Sequence, residues 1–173
     1  MFAWIRLILR WWGRALTALA AVHATLVTWV AWYVAEASWG SAPIGVSPTP
    51  LPPIAFQACW MAGALFLLGV GPAIGAGAFR GPWNEADPTR SLPLGILGRT
   101  VPAWFASAAI LILVALAPLP TYLVLAEMGS FSGSQIAQPL LAQGAAIAIA
   151  PLLGIACAAL RRRRSWAEVP VHA

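Results

Sequence analysis

Residues 128–164 read MGSFSGSQIAQPLLAQGAAIAIAPLLGIACAALRRRR, a stretch with no charged side chain from 128 to 160 that ends abruptly on four consecutive Arg. A helix needs about 20 apolar residues to cross the hydrocarbon core of a bilayer. This stretch is long enough to do so, and the Arg cluster marks which of its ends stays in the cytoplasm.

Further uncharged runs precede it at residues 15–35, 37–79 and 100–126. Hydrophobic residues make up 61% of the 173 and charged ones only 9%, against about 25% in an ordinary soluble domain. So few charges cannot cover a water-soluble globule of this size, which excludes a soluble enzyme, a disordered tail and a disulfide scaffold. The formal charge of +5 would point to nucleic acid in a soluble protein. Here the basic residues are all Arg and flank the apolar runs, so the bilayer is the expected partner and nucleic acid is not.

Arg6, Arg10 and Arg14 precede the first run, Arg80, Arg90 and Arg99 separate the second from the third, and residues 161–164 follow the fourth. The other two connections carry only Glu36 and Glu127. The positive-inside rule then predicts an all-α polytopic protein with four transmembrane helices near residues 15–37, 55–79, 101–126 and 135–160. Both termini and the middle loop face the cytoplasm in this arrangement, and the expected location is a bacterial inner membrane. Trp4, Trp11, Trp12, Trp104 and Trp166 fall near the inner interface, with Trp39 and Trp60 near the outer one.

Residues 1–14, MFAWIRLILRWWGR, set three Arg at intervals of four among large apolar side chains. That pattern predicts a short interfacial helix; a basic flank that merely orients the first span and a cleavable signal are the alternatives. Residues 15–160 form the predicted four-helix domain and residues 161–173 a basic cytoplasmic tail. The Pro-rich connection at residues 38–54 reads as an extended surface segment.

Chemistry-bearing residues are sparse. Cys59 and Cys157 sit at opposite ends of their spans, about 25 Å apart in depth at about 1.5 Å rise per residue, too far for a disulfide. His23 is the ionisable side chain well inside a span. It is a candidate pigment or haem ligand, a candidate proton carrier, or a neutral imidazole bonded to a neighbouring helix. No other cofactor and no metal site is expected, since no Cys/His ligand set accompanies it. The segment GVGPAIGAG at residues 69–77 has a superficial nucleotide-loop spacing but lacks the preceding strand and the Lys-Ser/Thr pair. Gly71 and Gly75 instead predict close helix packing. Pro72, Pro118, Pro120, Pro139 and Pro151 are expected to bend or interrupt their helices.

The middle loop, RGPWNEADPTRSLPLGILGR at residues 80–99, offers Glu85, Asp87, Arg90 and Arg99 to a soluble partner, and Leu92 and Leu94 to a partner or the membrane surface. No nucleophile is paired with a His and no carboxylate pair has catalytic spacing within the spans, so no enzymatic activity is expected.

Residues 72–104, PAIGAGAFRGPWNEADPTRSLPLGILGRTVPAW, and 117–164 together resemble ABC-2 type transporter permeases. The matching positions are Pro72, Ala76, Glu85, Thr89, Leu92, Pro93, Gly98, Arg99, Pro120, Gly129, Ser132, Gln135, Gly154 and Arg161. The resemblance implies a membrane subunit that couples through its middle loop to a separate cytoplasmic ATPase. Such permeases usually have six spans, whereas four are read here, which implies a shortened permease working with other membrane subunits. The alternative is an accessory scaffold subunit of a photosynthetic or respiratory complex, packing against pigments or neighbouring helices.

Overall fold

A computed structural model describes residues 2–39, 53–80, 97–129 and 131–167, and every regular element among them is helical. In chain order these are α1 (Phe2–Trp39), α2 (Pro53–Arg80), α3 (Leu97–Leu116), α4 (Leu119–Met128) and α5 (Gly133–Ala167). Gly13–Ala37, Phe56–Arg80 and Gly133–Arg161 are each long and apolar enough to cross a membrane. The consecutive segments Thr100–Leu116 and Leu119–Met128 meet that test only together, bent by 48°. The described residues are thus all-helical in their regular structure, with three candidate spans, or four where the bent pair counts as one.

The interfacial helix expected over residues 1–14 is not a separate element. α1 runs unbroken for 38 residues, so the basic segment and the apolar span share one rod. At about 1.5 Å per residue that rod is about 57 Å long, against a hydrocarbon core of about 30 Å. Nothing in WWGRALTAL stops it, because a single Gly among good helix formers is tolerated and the Thr17 hydroxyl donates back to Gly13 O at 2.8 Å.

The third span differs from the single helix expected over residues 101–126. A proline donates no backbone hydrogen bond, and it disfavours helical geometry in the residue before it. With Pro118 and Pro120 two residues apart, the carbonyls of Val114 and Leu116 lose their usual donors, and both Ala117 and Leu119 precede a proline. α3 therefore closes on a tight bond from Ala117 N–H to Val114 O at 3.2 Å. α4 restarts with Tyr122 N–H donating to Pro118 O at 3.1 Å. Single prolines do not have this effect: α2 continues through Pro72, and α5 through Pro139 and Pro151.

α5 begins with the Gln half of a capping box and a tight backbone turn. Ser132 N–H donates to Gln135 Oε1 at 2.8 Å, and Gln135 N–H donates to Ser132 O at 3.0 Å. α2 opens on Pro53, whose missing donor costs nothing in a first turn, and ends on Arg80, favourable at the negative end of a helix dipole.

The chain divides into two compact units, residues 1–66 with 112–144 and residues 67–111 with 145–173. The first has an aromatic core in which Val27 and Ala31 of α1, Phe56, Cys59 and Trp60 of α2, and Tyr122 and Leu125 of α4 are buried together. Trp60 stacks on Tyr122 with ring centroids 3.9 Å apart, and Phe56 stacks on Phe131 at 4.6 Å.

The second unit is held by close backbone approach. A side chain at Gly75 would meet the backbone of Pro151, and one at Gly154 would meet the backbone of Pro72. The two contacts are reciprocal, because PAIG at residues 72–75 and PLLG at residues 151–154 share the spacing Pro-x-x-Gly. Each glycine admits the other helix's proline carbonyl, which small residues allow in a membrane where no hydrophobic force drives helices together. Ala78, Ala103 and Ile155 form a buried cluster nearby with Phe79 and Trp104 against it. The Trp104 indole N–H donates to Ala148 O at 2.8 Å.

Candidate functional site

At the break between α3 and α4, Val114 O keeps the tight bond from Ala117 N–H, and α1 supplies a second donor in place of the missing helical one. Val114 O is the carbonyl that a residue at position 118 would normally satisfy, and position 118 is proline. His23 Nδ1 lies 2.9 Å from that oxygen, and the ring is fully buried. A carbonyl only accepts, so Nδ1 carries the proton and donates it; in the neutral imidazole Nε2 is then an unprotonated lone pair. The imidazole is uncharged in this state, as suits a group with no ionised carboxylate near the middle of its span: Glu36 and Glu127 are exposed at helix ends.

The rest of the site comes from three other helices. Phe66 of α2 stacks on His23 with centroids 4.9 Å apart and planes within 5° of parallel. One turn earlier, Gly63 lets polar side chains approach the backbone of α2 closely: a Cβ there would lie 3.0 Å from His23 Nε2 and 3.7 Å from Gln143 Nε2, and would collide with the Tyr122 hydroxyl. Tyr122 belongs to α4 and Gln143 to α5. His23 Nε2, Tyr122 OH, Gln143 Nε2 and the nearby Trp60 indole nitrogen are all buried without a hydrogen-bond partner.

Toward a pigment or haem the fit is poor. A macrocycle on Nε2 would lie across the backbone of α2 at Gly63, and the ring face is already taken by Phe66. Among the described residues no three His, Cys, Asp or Glu side chains cluster in a way that could hold a metal ion. Cys59 and Cys157 are both free, the first buried and the second exposed.

Of the other positions singled out in the sequence, Glu85, Asp87, Arg90, Leu92 and Leu94 lie outside the described residues. Arg99 stands in the first turn of α3. Gly71 and Gly75 face Ala150 and Pro151 of α5, so the two small residues meet one helix at adjacent positions.

Gly63, Tyr122 and Gln143 were not legible as site residues from their own chemistry, since none is ionised at neutral pH. A signal existed nonetheless. Pro118 predicts an orphan carbonyl four residues earlier, and any polar side chain within an apolar run is a candidate to answer it or to join the residue that does. Compared with known proteins, the chain matches no family model, no curated protein and no solved structure.

Proposed function

We propose that this chain is a non-catalytic subunit of a bacterial inner-membrane transport assembly, with both termini in the cytoplasm and its third span acting as the element that moves. The observation that carries the proposal is the 48° break between α3 and α4. A broken helix is tolerated at membrane depth only where it is buried in protein or lines a cavity, and discontinuous helices of this kind recur at transporter binding sites. The break here is bracketed by buried polar groups on α1, α4 and α5, and one hydrogen bond from another helix caps it. Such a joint has two natural states, capped and uncapped, and a transport cycle needs an element of that sort.

The finer part of the proposal is that motion reaches the joint from a cytoplasmic ATPase through residues 80–99, immediately before α3, as the likeness to ABC-2 type permeases implies. Purification in mild detergent tests it. Co-purification of an ATPase, lost when residues 85–90 are replaced by Gly and Ser, supports coupling; its absence from a stable complex of other membrane chains contradicts it.

A scaffold role is the second reading, favoured by the outer half of α1. Trp29, Trp32 and Tyr33 are 60%, 67% and 63% exposed and form a wide aromatic surface on that helix. A complex that dissociates when Trp29 and Trp32 are replaced by Leu, with no ATPase present, would favour the scaffold.

A further inference from the structure

We propose that the four Arg at residues 161–164 form a binding ring for anionic phospholipid headgroups, set around α5 where that helix leaves the membrane. The span Gly133–Arg161 is long and apolar enough to cross a bilayer, and α5 continues without a break to Ala167. The four Arg therefore belong to the same helix as the span and begin where its apolar stretch ends, with Arg161 exposed.

Helix geometry turns four consecutive Arg into a ring. At about 100° and about 1.5 Å per residue, positions 161–164 cover about 300° of the circumference within about 4.5 Å of helix axis. The headgroup layer on each face of a bilayer is about 5–7 Å deep, so all four positions fit inside it. Arg6, Arg10 and Arg14 of α1 are arranged differently. Each is rotated by about 40° from the one before, so they form a stripe along one side that extends over about 12 Å of axis. Only part of that stripe can share the headgroup layer.

Nothing on α5 neutralises the ring. The helix contains no Asp or Glu, so no ion pair three or four residues away is available. Its negative end supplies about half an elementary charge, against four on the ring. The chain as a whole has ten Arg against five acids. A protein partner would meet one side of α5, whereas lipid headgroups surround a helix at this depth wherever no other helix stands. A phosphate accepts the two parallel N–H bonds of a guanidinium. An anionic lipid leaves that phosphate charge free for Arg, while a zwitterionic lipid offsets it with its own ammonium. The site requires that α5 cross the bilayer; it does not depend on coupling to an ATPase or on which side the helix ends.

The test is native mass spectrometry of the full chain released from nanodiscs of equal parts phosphatidylglycerol and phosphatidylcholine, with the retained lipids identified by mass. Retained phosphatidylglycerol is expected to exceed phosphatidylcholine by about fivefold, the factor one Arg supplies near an anionic lipid surface. Replacing Arg162, Arg163 and Arg164 by Gln should bring the ratio below about twofold, whereas Arg6→Gln, Arg10→Gln and Arg14→Gln together should leave it above about threefold. Equal retention of the two lipids by the unsubstituted chain would overturn the proposal. So would an equal fall in the two triple variants, because net charge and not the ring would then decide retention. If the ring variant cannot be purified, Arg162→Gln with Arg164→Gln is measured in its place, and a ratio unchanged from the unsubstituted chain overturns the proposal.

Discussion

His23 Nδ1 donates to Val114 O across 91 positions of sequence, at 2.9 Å, and the oxygen it reaches is the one left without its helical donor by Pro118. A histidine and a proline that look unrelated in the sequence are therefore two halves of one interaction. The imidazole would be unpaired at Nδ1 without the carbonyl, and the carbonyl would keep only the tight bond from Ala117 N–H without the imidazole.

Replacing the imidazole with a side chain of similar bulk and no donor isolates this bond. His23→Leu is expected to destabilise the folded chain by about 1–2 kcal/mol, the upper range for an interhelical hydrogen bond in a membrane. Reversible unfolding in mixed detergent micelles measures it. His23→Asn, which keeps a donor, should recover part of the loss.

The reciprocal glycine contacts predict a sharp contrast between positions. Gly75→Val and Gly154→Val drive a side chain into the backbone of the facing helix and should cost roughly 3 kcal/mol or more, since backbone cannot yield as a flexible side chain can. Gly69→Ala and Gly144→Ala meet open space and should be neutral, or stabilising by up to about 1 kcal/mol through helix propensity. Thermal unfolding of the four variants side by side checks both statements.

How much of this was legible in the sequence follows from what each feature depends on. The apolar runs ending at Glu36, Arg80 and Arg161 translate almost directly into helices, because a backbone in hydrocarbon has few alternatives. The joint was visible in outline, since Pro118 and Pro120 announce it, but single prolines at 72, 139 and 151 announce the same thing and leave their helices unbroken. The difference lies in spacing: two missing donors within three residues remove consecutive supports on one stretch of helix. The unbroken passage of α1 through Gly13 and Arg14 was hidden because an interfacial helix and the start of a span have the same local sequence character. Gly75 was recognisable as a packing residue, whereas its partner Pro151 was not, as nothing in either helix names the other. The orphan atoms of Tyr122 and Gln143 depend wholly on tertiary placement.

Trp104 offers a separate check on the second unit. Its indole N–H donates to Ala148 O at 2.8 Å while the ring packs against the cluster of Ala78, Ala103 and Ile155. Trp104→Phe keeps most of the packing and loses the bond, for an expected cost of about 1 kcal/mol. Trp104→Ala loses both and should cost about 3 kcal/mol or more.

The proposed orientation makes the turn before α5 extracytoplasmic and its Arg-rich end cytoplasmic. Ser132 and Arg161 are both exposed. In intact cells, with Cys59 and Cys157 replaced by Ala, a membrane-impermeant maleimide should label Ser132→Cys and leave Arg161→Cys unmodified until the membrane is opened. The reverse pattern would invert the topology, and labelling of both would remove the fourth crossing.

The most direct test of the joint is a double-mutant cycle between His23 and position 118. Pro118→Ala returns the helical donor to Val114 O, which already accepts from Ala117 N–H, so two backbone donors then compete with the imidazole for one oxygen. His23→Leu should then cost less than about 0.5 kcal/mol, against about 1–2 kcal/mol with Pro118 present, a coupling of about 1 kcal/mol measured by unfolding of the four chains under one condition. Equal costs of His23→Leu in the two backgrounds would contradict the claim that His23 holds the broken span.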